Sequence, residues 1–128
     1  MAPMALRILT GLLGLLFIVI GIGFFTRPAP AAANFSLAAV GIQGLATLRA
    51  DFPAFFIGTG GFALYGAWQQ CARVLVFPLV GLTIALSGRV VSLAIDGYVP
   101  TAFTPMIVEA IGIIVLAASY RSFALRQS

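Results

Sequence analysis

Four apolar stretches run along the chain, and the polar residues between them fall where such stretches would leave a membrane. The first, Ile8 to Phe25, carries no charge and holds glycine at 11, 14, 21 and 23. Its apolar core exceeds the roughly 7 to 15 residues of a secretory signal, so it reads as a retained helix behind a short basic lead at 1–7. Pro28 and Pro30 stop it. Residues 35–48 are only semi-apolar and too short to cross alone, which predicts an interfacial segment with Phe35, Leu37, Val40, Leu45 and Leu48 toward the acyl boundary. A second helix is predicted over 52–69, with Asp51 as its cap and Pro53 in its first turn. Gly58, Gly60, Gly61, Ala63, Gly66 and Ala67 give that helix small faces that admit another backbone closely. The third spans 74–95, with Gly81, Ala85 and Gly88 continuing a small-residue face. The fourth spans 105–121, with Thr104 as N-cap and Pro105 at its first position. The first helix is predicted over 6–25.

Composition turns this pattern into a class. Of 128 residues, 62% are hydrophobic and only 8% charged, against about a quarter charged in soluble domains. The expectation is one all-α domain, 1–128, an integral membrane bundle of four transmembrane helices with an interfacial segment between the first two. At about 20 residues per crossing no separate extramembrane domain fits.

Charge then sets orientation. The net charge of +4 comes from seven basic residues, all arginine, and three acids. With four crossings, Arg7, Arg73, Arg121 and Arg126 share one side and Arg27 and Arg49 the other. That excess predicts both termini in the cytoplasm. Scattered at helix ends, these arginines mark topology rather than a nucleic-acid surface.

The chemistry is sparse. There is no histidine, which removes the usual haem and transition-metal ligand. Three carboxylates on separate helices make a poor site for a hard cation, so no metal or cofactor is expected. Cys71, the single cysteine, sits in the polar turn beside Gln69, Gln70 and Arg73 and has no intramolecular disulfide partner.

One stretch breaks the apolar pattern. Arg89, Ser92 and Asp96 fall within about 60° of one another on a helix, and charge at membrane depth must face protein or water. In the predicted topology Arg49, Asp51, Asp96 and Glu109 lie at the outer end, and Arg89, about 10 Å deeper, reaches toward them by snorkelling. The six residues Arg49, Asp51, Arg89, Ser92, Asp96 and Glu109 are therefore predicted to form one cluster. It serves either as a structural ion-pair network or as a site for a polar headgroup or small ligand.

The pieces Leu48-Arg49-Ala50-Asp51-Phe52, the glycine-rich Phe56 to Gly61, Gly88-Arg89-Val90-Val91-Ser92, Asp96-Gly97 and Glu109 resemble the bacterial domain-of-unknown-function family 4345 over most of the chain. Pro53 and Ala54 depart from that pattern, as does the short tail. The resemblance implies a small four-helix protein of the bacterial cytoplasmic (inner) membrane and gives weight to the five charged positions. It implies no activity.

The function expected is that of a non-catalytic membrane protein, an accessory or assembly subunit packing against a larger complex or against itself. The alternative is a binder or transporter of a lipid or small lipophilic molecule through the charged cluster. A lipophile-modifying enzyme is the third class. Each carboxylate lies within reach of an arginine, a setting that suits a general acid poorly.

Overall fold

The computed structural model describes residues 2–128, with side chains from Met4 onward. Its helices are α1 (Ala2–Thr26), the short α2 (Pro28–Ala33), α3 (Gly41–Gln69), α4 (Val76–Ile95) and α5 (Phe103–Gln127). One-turn 3-10 segments at Arg73–Leu75 and Pro100–Ala102 lead into α4 and α5. Three stretches, Met4–Thr26, Arg73–Ile95 and Pro100–Gln127, are long and apolar enough to cross a membrane. α3, about 43 Å long at the helical rise, is not one of them. Gln43, Thr47, Arg49, Asp51 and Thr59 make it more polar than its neighbours.

Side-chain to backbone contacts fix the path of the chain. Arg7 at the start of α1 donates from Nε to the Ala67 carbonyl at 3.0 Å and from Nη2 to that of Trp68 at 3.2 Å, so α1 and α3 run antiparallel. Arg126 and Gln127 at the end of α5 both donate to Gln70, the residue that ends α3 in the left-handed region. Both described ends of the chain thus meet the α3–α4 turn. Arg7 and Gln127 thereby supply partners for carbonyls that the end of α3 leaves without donors.

Glycine explains the tightest seam. A Cβ on Gly14 would lie 2.6 Å from the carbonyl oxygen of Gly60, and one on Gly60 would strike the carbonyl oxygen of Gly14. α1 and α3 therefore touch backbone to backbone, which only the smallest residue permits. Below and above this crossing the seam fills with apolar groups. Phe24 stacks on Phe52 and Phe56 at centroid distances of 4.8 and 5.7 Å, and Phe17 and Phe35 close on Phe56 at 5.8 and 5.5 Å. Deeper in the bundle Gly112 of α5 accepts Leu82 of α4 and Leu13 of α1 against its bare backbone.

Several expectations need correction. α3 begins eleven residues before the predicted start of the second helix. Asp51 therefore lies inside a helix and caps nothing, and Pro53 sits buried in the helix interior rather than in a first turn. Packing explains this, because Leu48, Phe56, Gly60 and Ala63 bury one continuous face against α1 and outweigh the proline's missing hydrogen bond. The segment 35–48 is not a single helix, and of its apolar residues Leu37 and Val40 are exposed. Phe35 turns inward to the aromatic cluster, Leu48 is buried, and 41–48 are the first turns of α3. Thr104 and Pro105 lie within α5, whose N-cap is Ala102. Of the basic lead at 1–7, Met1 lies outside the described residues and the rest is already helical. Among the predicted small faces, Gly60 and Gly66 meet close neighbours, whereas Gly58, Gly61 and Gly88 have none.

Candidate functional site

α4 and α5 run antiparallel, which sets a residue late in one against a residue early in the other. Arg89 donates from Nε to Oε1 of Glu109 at 2.8 Å. Among the described residues this is the one ion pair. Glu109 faces inward because Gly112, three residues on and so on the same helical face, packs at the meeting of α1, α4 and α5. Its side chain is 10% exposed, while that of Arg89 is 38% exposed. The charge that the arginine brings to this depth is thus compensated at a charge-assisted hydrogen bond.

The pair is only half closed. Oε2 of Glu109 is buried and has no hydrogen-bond partner among the described residues. A guanidinium can grip both carboxylate oxygens at once, but here a single bond is made. The result is a link between α4 and α5 that holds charge without the full set of donors that a buried carboxylate can use.

The other predicted members stand apart. Ser92 donates to Oδ2 of Asp96 at 2.7 Å, on the exposed last turn of α4. Arg49 donates from Nε to the Phe25 carbonyl at 3.1 Å, joining α3 to the end of α1. Asp51 is exposed and has no side-chain hydrogen bond or ion pair among the described residues. The six side chains thus make an ion pair, a local hydroxyl–carboxylate contact and a helix-end contact, with no recorded contact joining the three. A single outer cluster required Asp51 at a helix start and Asp96 within reach of Arg89. The actual start of α3 removes the first condition, and the bond to Ser92 engages Asp96 along its own helix.

The chain also contains a polar contact that its sequence did not announce. Thr10 of α1 and Ser119 of α5 share a 2.6 Å hydrogen bond, and both residues are completely buried. Other hydroxyls, in Thr26, Thr47, Thr83 and Ser87, donate instead to the carbonyl four residues back. Both arrangements satisfy a hydroxyl in an apolar setting, and the residue type does not choose between them.

Two open grooves indent the surface along α3, and neither is lined by Arg89, Ser92, Asp96 or Glu109. Among the described residues no three side chains of the metal-binding types converge. No family model, no curated protein and no solved structure matches the chain.

Proposed function

We propose that this chain is a small, non-catalytic, multi-pass protein of the bacterial inner membrane that serves as an accessory or assembly subunit against a larger membrane complex. The supporting observation lies on α4. From Thr83 to Ile95 no residue of that helix is buried, although the stretch carries Arg89, Ser92 and the lead to Asp96. Polar groups on a crossing helix need protein or water beside them, and a second protein against this face would supply the cover.

Four crossings with both termini cytoplasmic, and membership of family 4345, belong to the same proposal. What favours α3 as the fourth crossing is its seam with α1, because residues Phe56 to Ala67 lie alongside a partner long and apolar enough to cross.

Purification from the native membrane in mild detergent, with a photocrosslinking residue at Val91 or Ile95, tests the assembly role. One protein should be captured from α4 in fixed stoichiometry and should not be captured from Val19 on the outer face of α1. A chain that purifies alone, with crosslinks only to lipid from every position, would overturn it.

A further inference from the structure

The grooves on α3 have arginine at one end and no acid among their lining residues. The first has a volume of about 360 Å³ and is lined by Arg49, Ala50, Pro53, Ala54, Ile57 and Gly58, with Phe25 of α1 as one wall. The second, about 420 Å³, shares Ile57 and Gly58 and continues past Gly61 to Tyr65 and Val74. The shared residues set the two end to end along one side of α3, as a shallow trough. Along the helix axis Arg49 and Tyr65 are about 24 Å apart, more than the roughly 15 Å of hydrocarbon in one leaflet.

At the level where α1 ends, the open end carries Arg49 in its lining, with the exposed Asp51 two residues further along α3 and outside the lining. Arg49 is anchored there by its Nε bond to the Phe25 carbonyl, which leaves Nη1 and Nη2 without a hydrogen bond among the described residues. Arg27, two residues after the lining residue Phe25 and at the start of α2, is exposed and stands outside the groove lining, so its long side chain supplies a second charge only by reaching over the rim. Guanidinium groups are matched to phosphate oxygens in charge and fork geometry, and the trough beyond them offers apolar and small residues to a hydrocarbon chain.

We propose that this trough binds one anionic phospholipid, its phosphate at Arg49 and Arg27 and one acyl chain laid along Ala54, Ile57, Gly58 and Gly61 toward Tyr65. The site rests on the groove and its charge, independently of the assembly role, so each can fail without the other. The same small residues, Ala50, Ala54 and Gly58 at four-residue spacing, would also admit a helix from a second copy. The test therefore separates the two occupants.

The full chain in mild detergent is titrated with dioleoyl phosphatidylglycerol and, separately, dioleoyl phosphatidylcholine, and retained lipid is read by native mass spectrometry. A basic side chain near a membrane surface favours an anionic lipid by roughly fivefold, so one phosphatidylglycerol per chain should be held about twentyfold more tightly than phosphatidylcholine. Arg27→Gln makes no demand on folding, since its side chain has no hydrogen bond among the described residues, and should cut that preference about fivefold. Arg27→Gln with Arg49→Gln should bring it near one. Gly58→Leu, placed where an added Cβ meets nothing within 4 Å, should fill the trough and weaken both lipids without lowering the melting temperature. Arg73→Gln with Arg121→Gln, at the opposite end of the bundle, should leave the preference as it was. A wild-type preference near one, a preference unmoved by Arg27→Gln, an equal loss from the Arg73 and Arg121 changes, or a dimer that Gly58→Leu dissolves would each overturn the proposal.

Discussion

Glu109 and Asp96 are both acids near the ends of apolar helices, yet their surroundings assign them different weights. Glu109 is buried against a single donor, so removing that donor strands a charge. Arg89→Met should destabilise the chain, though by less than the roughly 3 to 5 kcal/mol of a fully buried pair, because the Arg89 side chain is 38% exposed. Arg89→Met combined with Glu109→Leu should recover most of the loss, since neither partner is then left unpaired. Thermal melting in detergent decides this, and a double variant no more stable than Arg89→Met alone would show that the pair is not what Arg89 contributes. Asp96→Asn should shift the melting point little, because Ser92 can donate to an amide oxygen as well as to a carboxylate. That Arg89 needs a carboxylate follows from its place in an apolar run. Which carboxylate it takes depends on how far α4 and α5 overlap, and residue spacing within one helix carries no such information.

Gly58 and Gly60 are two residues apart on α3 and look alike in the sequence, but one faces open space and the other the α1 backbone. Gly60→Ala should cost about 1 to 3 kcal/mol through overpacking of the seam. Gly58→Ala should be neutral or stabilise by up to about 1 kcal/mol, the helix propensity difference. Melting both variants in the same detergent checks the sign, and equal effects would mean that α1 and α3 do not meet at Gly60. The two-residue offset puts these glycines about 200° apart around the helix. The presence of a small-residue seam is therefore legible in the glycines, while its direction depends on which neighbour the helix meets. Helix starts were less legible for a related reason. Asp51 and Thr104 are good caps in isolation, but the helices that contain them begin earlier, α3 being extended by the contacts of Leu48 and α5 entered through the turn at Pro100–Ala102. The apolar runs of α1, α4 and α5 could be read directly because length and hydropathy suffice for them. α3 could not, since Gln43, Thr47, Arg49 and Asp51 stand exposed along its first half and lower its hydropathy.

At the scale of the whole molecule, helices that alternate in direction bring both described ends to the α3–α4 turn. In a Cys71→Ser background, single cysteines placed beside Arg27 and beside Arg126 should react with an impermeant maleimide from opposite faces of the membrane. Reaction from the same face would remove one of the four proposed crossings. The ties at that turn also order its construction in time. Arg7 can engage the carbonyls of Ala67 and Trp68 once α3 has emerged from the ribosome and folded back along α1. Gln70 must wait for Arg126, 56 positions later in the chain. During that interval the turn is latched from one side only, and Gln70 stands without the partners that Arg126 and Gln127 later bring to its side chain and carbonyl.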